Sequence, residues 1–277
     1  MGDEPGSDRA KRVSRRSAGA WLAGIALLVA CATSPLGRKQ LLLFPESEMA
    51  AMGIAAYGKM QSELPRSRDA AVNAYVSCVA DAVVAALPDR ERLRGWEVTV
   101  FQDDSANAFA LPGGKIGVHT GLLRVARSQD QLAAVIGHEV AHVTAGHANE
   151  RMSTAFATQS GLQVVQVIAG ASSPAQQQML ALLGLGAQVG VILPFSRTQE
   201  READVMGRDT MARAGFDPRE SIALWQNMAG AAGARPPELL STHPSSATRM
   251  RDLEAGMPQA LQIYEAARAQ GRRPRCA

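Results

Sequence analysis

Apolar and polar residues alternate in one stretch of this chain, recur at helical spacing in another and run almost unbroken in two more. Trp96-Glu97-Val98-Thr99-Val100-Phe101 alternates and is rich in β-branched and aromatic side chains, which predicts a strand. Residues 107–111 and 115–118 are two further short apolar runs, and Pro112-Gly113-Gly114 between them predicts a tight turn. At Ser128 the rhythm changes. Ser128, Gln129 and Asp130 are helix-start residues, and apolar positions follow at helical spacing through Ile136. Residues 179–195 are nearly all apolar but are broken by Gln188, Gly184, Gly186 and Gly190. Seventeen residues with those breaks are marginal for a membrane span and predict a buried or membrane-leaning helix. The polar stretch 170–178 before it predicts a loop. A short sheet among several helices makes the expected class α+β, mainly helical.

The helical stretch also carries the chemistry. Residues 138–142 read His138-Glu139-Val140-Ala141-His142. Positions i and i+4 share a helix face, so the two imidazoles can meet one metal ion. Glu139 projects from the same turn and can act as general base on a water beside that metal. Without such a role, two histidines and a carboxylate among Gly137, Val140, Ala141 and Val143 would be costly buried polar groups.

A catalytic zinc usually takes three protein ligands and keeps a position for water. The metzincin pattern would put a glycine three residues and a histidine six residues after His142, where this chain has Ala145 and Ala148. His147 lies about 500° beyond His142 on a helix, so it is expected to point away from the metal into a helix-end hydrogen bond. Glu200 is the better candidate. It and Asp204 are four apart, so a helix presents both on one side. That suits Glu200 as third ligand and Asp204 as a carboxylate orienting a ligating imidazole. Glu202 falls about 200° from Glu200 and is expected to face solvent.

Further motifs follow in order: Gly37-Arg38-Lys39-Gln40-Leu41, Asn107-Ala108-Phe109-Ala110-Leu111-Pro112-Gly113-Gly114, Thr120-Gly121-Leu122-Leu123, Pro194-Phe195-Ser196-Arg197, Thr242-His243-Pro244 and Arg249. With the histidine motif they resemble the M48 zinc metallopeptidases, in particular bacterial periplasmic lipoprotein members without tetratricopeptide repeats. The resemblance covers much of residues 38–255. It implies a zincin-like (gluzincin) domain with a small β-sheet beside the His138 helix. It also implies one zinc ion per chain, held by His138, His142 and Glu200, with Glu139 catalytic. The loop at His243 would return over the zinc, either to stabilise the developing oxyanion or to fill the open position and hold the enzyme latent. Arg249 would orient that loop or contact substrate. Asn107, Ala108 and Phe109 would offer backbone groups to a substrate bound as an added strand. His119 is read as structural. The implied substrates are misfolded or stalled envelope proteins, with the outer-membrane assembly machinery as a candidate partner. The rival function is an envelope chaperone or assembly factor with little proteolysis.

The amino terminus predicts a compartment. Lys11, Arg12, Arg15 and Arg16 form a basic region ahead of the ten-residue apolar run 21–30, which is too short for a mature span and reads as a secretory leader. Leu28-Val29-Ala30-Cys31 resembles the lipobox of bacterial lipoproteins, which would make Cys31 the lipidated, membrane-anchored amino terminus. Ala32 after it favours outer-membrane sorting. The expected organisation is a signal peptide over 1–30, a lipid-anchored segment over 31–60, the peptidase domain over 61–265 and a basic tail over 266–277. Losing the leader removes five basic and three acidic residues and takes the formal net charge from +3 to +1. With only Arg272, Arg273 and Arg275 clustered in the tail, no nucleic-acid surface is expected. Cys78 and Cys276 remain, and an oxidising periplasm would let them pair and tie the tail to an early helix.

Overall fold

The computed structural model describes residues 31–157, 182–183, 195–231, 237–243 and 247–276. The expected leader, the 170–178 loop and nearly all of the 179–195 apolar run lie outside the described residues. The described chain opens on an antiparallel hairpin of β1 (Cys31–Thr33) and β2 (Lys39–Leu41). Helices α1 (Glu46–Glu63) and α2 (Ala70–Ala85) follow, the second begun by Asp69, whose carboxylate accepts the Ala71 and Val72 amides. A single turn, α3 (Asp89–Arg92), precedes β3 (Glu97–Phe101), β4 (Ala108–Leu111) and β5 (Lys115–His119). β5 pairs with β3 in parallel and with β4 antiparallel, which leaves β4 at an edge of the sheet.

Helix α4 (Gln129–Thr144) starts where the sequence predicts, with the Ser128 hydroxyl accepting the Gln131 amide. Gly146, at φ 70°, turns the chain at once into α5 (His147–Ala157). A capping box of Ser196 and Gln199 opens α6 (Arg197–Ala214). The remaining helices are α7 (Glu220–Gly230), α8 (Glu238–Thr242), α9 (Ala247–Ala255) and α10 (Met257–Ala269).

All of residues 131–143 are buried, so α4 is enclosed on every side rather than amphipathic. Helix α6 runs antiparallel to it, His138 meeting Asp204 and His142 meeting Glu200. The two backbones cross at a pair of glycines. A Cβ on Gly207 would lie 2.7 Å from the His138 nitrogen, and one on Gly137 2.9 Å from the Gly207 carbonyl oxygen. Such distances are inside contact range, so only glycine lets these helices approach this closely.

Leu132, Ile136 and Val140 of α4 join Val76, Val79 and Val83 of α2 and Val100, Ile116 and Val118 of the sheet in the main core. Each such buried side chain contributes about 1.5–3 kcal/mol. Tyr57, Met60, Phe101, Phe109, Leu111 and Met152 form a second cluster, fed by the opposite parity of the same strands. Cys78 on α2 and Cys276 in the tail form a disulfide, their Cα atoms 5.6 Å apart. Among the described residues no helix is long and apolar enough to cross a membrane.

Candidate metal centre

One turn of α4 brings His138 Nε2 and His142 Nε2 within 3.1 Å of each other. Glu200, one turn into α6, places Oε1 3.4 Å from His142 Nε2 and Oε2 3.4 Å from His138 Nε2. His243, which ends α8, adds a fourth donor: its Nδ1 lies 3.2 Å from His138 Nε2 and 2.9 Å from Glu200 Oε1. All four residues are buried, and their donor atoms lie within 4.8 Å of one another. Ligands about 2.0–2.1 Å from a tetrahedral zinc stand roughly 3.4 Å apart, so these separations fit the ion. Two imidazoles, a carboxylate and a third imidazole are also a donor set that zinc accepts.

Beside this cluster Glu139 is buried, and its Oε1 has no hydrogen-bond partner among the described residues. The nearest basic atom to that oxygen is His243 Nε2, at 3.5 Å. The backbone amide of Ala110 in β4 lies near enough to the Glu139 carboxylate to favour its charged form. Burial pushes the Glu139 carboxyl up, against the pull of His243 and His138. Burial would do the same to Glu200, but His243, His138 and His142 overcome it and hold that carboxyl well below its ordinary value. Burial likewise opposes charge on His138, yet Asp204 and Glu200 prevail and raise it to about 9. His142 is pushed well below its usual value by burial, with Glu200 opposing. The carboxyls of Glu139 and Glu200 are thus driven in opposite directions.

Asp204 lies 3.2 Å from His138 Nδ1, the ring nitrogen turned away from the cluster. Arg249 grips Asp204 with two hydrogen bonds of 2.7 Å, stands 2.7 Å from Glu200 Oε2 and donates to the His243 carbonyl at 3.4 Å. Its guanidinium rests over the Trp225 ring at 4.4 Å. Arg249 thus links Asp204, Glu200 and the backbone of the His243 turn. Phe195 lies against His142 and His243, with ring centroids 4.0 and 5.1 Å away.

Two expectations need correction. Glu202 does not face solvent. It is 5% exposed, and its Oε2 meets His147 Nε2 at 3.2 Å and Arg38 Nη2 at 3.0 Å. The helical angle was right, but that side of α6 packs on α5 and the N-terminal hairpin instead of water. His147 stays out of the donor cluster as expected, but its hydrogen bond is not a helix-end one: its Nδ1 lies 2.8 Å from His142 Nδ1, the ring nitrogen turned away from the cluster. The break at Gly146 resets the helical phase, so a 100° count across it does not apply. His119 lies outside the donor cluster and meets Ser105 Oγ at 2.7 Å.

The edge strand also differs in detail. Asn107 O accepts the His119 amide, and Phe109 pairs with Gly117, so residues 107, 109 and 111 turn towards β5. Ala108 and Ala110 have the opposite parity, and Ala110 reaches Glu139. Of Asn107, Ala108 and Phe109, only Ala108 turns its backbone off the edge. The Asn107 amide donates to Glu238 at 3.1 Å, and the Phe109 ring packs in the second core cluster. Cys31 stands in β1, far along the chain from this site. Sequence reasoning missed Ala110, Trp225 and the packing of Phe195; strand parity could have found the first.

Two histidines one turn apart on a buried helix, a glutamate from an antiparallel partner and a buried second glutamate beside them define a zincin-type metal centre. The chain belongs to peptidase family M48, whose model matches residues 66–256. It is similar to mitochondrial metalloendopeptidase OMA1 of Schizosaccharomyces pombe, at 38% identity over 188 residues, or 67% of this chain and 53% of that protein. It is also similar to the beta-barrel assembly-enhancing protease of Yersinia pestis, at 31% identity over 214 residues, or 75% of this chain and 43% of that one. The chain thus matches about half the length of these relatives.

Proposed function

We propose that this chain is a zinc-dependent endopeptidase of the cell envelope that cuts extended segments of misfolded or stalled periplasmic and outer-membrane proteins. His138, His142 and Glu200 would hold the zinc ion, which when bound supplies Lewis-acid polarisation of the scissile carbonyl and acidifies water. The chain's own groups do the rest. Ala108 and Ala110 receive the substrate backbone as a strand added to β4. Glu139, its carboxyl raised by burial, takes the proton of the attacking water and passes it to the leaving amine. Asp204 and Arg249 keep His138 and Glu200 in register.

The observation that carries this reading is the convergence of His138, His142, Glu200 and His243 at tetrahedral spacing beside Glu139. The envelope assignment rests on the leader-like residues 1–30 and the lipobox ending in Cys31, which would anchor residues 31–60 to the outer membrane ahead of the peptidase domain. Similarity to a beta-barrel assembly-enhancing protease supports it, as does the Cys78–Cys276 disulfide. A rival reading, a binder of envelope proteins that seldom cuts, gains support from His243 standing in the fourth ligand place.

Metal content and cleavage of an unfolded protein, measured on wild type and Glu139→Gln, test the proposal. Both proteins should hold one zinc, and the variant should lose cleavage by about 10²–10⁴-fold because it lacks only the base. Comparable turnover by Glu139→Gln, or a wild type without zinc, would overturn the reading.

A further inference from the structure

We propose that Arg38, Glu202 and His147 form a positioning chain through which the N-terminal hairpin fixes the tautomer and ring orientation of the metal ligand His142. The inference rests on the reading of His142 as a ligand. His142 offers Nε2 to the cluster, so as a neutral ligand it carries its proton on Nδ1. That atom faces His147 Nδ1 at 2.8 Å, and one of the two must donate. His142 donates, and His147 Nδ1 is the bare acceptor. The His147 proton then lies on Nε2, 3.2 Å from Glu202 Oε2. The same carboxylate oxygen accepts Arg38 Nε at 3.1 Å and Nη2 at 3.0 Å. Arg38 in turn forks onto both oxygens of Glu150, at 2.5 and 2.8 Å, and Gln199 donates to Glu150 Oε2 at 2.8 Å. Only this one arrangement of protons gives every donor in the chain an acceptor.

Burial leaves no water to stand in for a missing member: His147 is 0% exposed and Glu202 5%. A second arm of the site repeats the design. His138 meets the Asp204 carboxylate directly, and Asp204 is clamped by Arg249. His142 meets a carboxylate through an intervening imidazole, and that carboxylate is clamped by Arg38. Each ligand histidine thus has its own arginine-held carboxylate. The arginine differs in origin: Arg249 belongs to α9, whereas Arg38 lies in the turn that joins β1 to β2. Gln40 of the same hairpin donates to the Ala145 carbonyl at the end of α4. A hairpin outside the helical core therefore reaches a metal ligand through three side chains.

Zinc dissociation constants from competition with a chromophoric chelator test this on the full chain. His147→Phe keeps a ring but removes the acceptor, and it should weaken zinc binding by about 10–100-fold, the scale of losses from groups behind a ligand. Arg38→Ala should weaken it by a smaller factor. His147→Asn restores an acceptor near the Nδ1 position and should recover most of the affinity, which a merely space-filling role would not. Nitrogen-edited NMR of the zinc-loaded wild type should show a slowly exchanging proton on His142 Nδ1 and the His147 proton on Nε2. The first signal should vanish in His147→Phe. If His147→Phe does not fold, Arg38→Ala, at a partly exposed hairpin position, still carries the affinity test. Wild-type zinc affinity in folded Arg38→Ala and His147→Phe, or a His147 proton on Nδ1, would overturn the positioning chain and leave the metal centre standing. A wild type without zinc would overturn both.

Discussion

His243 stands where the donor cluster meets Glu139. Its Nδ1 completes the donor cluster while its Nε2 faces Glu139 at 3.5 Å, so one ring stands in both the fourth ligand place and the path to the base. Stacking on Phe195 and the Arg249 bond to its carbonyl hold it there. The motif Thr242-His243-Pro244 left two roles open, an inhibitory latch or an oxyanion donor, and this placement favours the latch. His243→Ala should then raise cleavage of an unfolded protein and bring on self-cleavage, read as fragments accumulating during storage. An oxyanion donor would behave oppositely, its loss lowering turnover by about 10²–10³-fold. Unchanged activity would remove His243 from the chemistry altogether.

Among the elements, α4 and α6 carry three of the four clustered donors, and these positions were legible in the sequence because helical spacing pairs them and the histidine motif singles them out. His138 with His142, and Glu200 with Asp204, each recur at i and i+4, and no tertiary knowledge is needed to put each pair on one face. Other features depend on what packs against an element. Glu202 lies on the expected side of α6, but nothing in its spacing says that Arg38 and His147 cover that side. Which parity of β4 faces Glu139 depends likewise on the pairing with β5. The crossing of Gly137 and Gly207 was equally invisible, although it sets the separation of the two ligand pairs. Gly207→Ala should force the helices apart. The expected cost is about 1–3 kcal/mol of stability, the range for overpacking, together with weaker zinc binding. Urea denaturation and chelator competition on the same variant check both effects. A variant with normal zinc affinity would show that the crossing does not govern the ligand geometry.

Across the whole molecule, the carboxy-terminal tail braces the far ends of the same two helices. Gln129, the first residue of α4, exchanges hydrogen bonds with the Pro274 carbonyl and the Cys276 amide. Arg272 donates to the Arg213 carbonyl near the end of α6. Cys276 then ties this assembly to α2 through Cys78, closing a loop with a sequence separation of 198 residues. The tail is therefore part of the fold that sets the α4–α6 pair, joined to it by the Arg272 guanidinium, the Pro274 carbonyl and the Cys276 amide. Constraining so long a loop in the unfolded chain is worth about 2–4 kcal/mol in typical cases. Reductant, or Cys276→Ser, should lower the urea midpoint accordingly, while reductant should leave the Cys276→Ser midpoint where it is. Activity without denaturant should survive either change, because the ligands lie at the opposite end of α6 and beyond the middle of α4. If reduction instead released zinc at full native structure, the tail would have to act on the metal centre directly, and the division between bracing and ligation drawn here would fail.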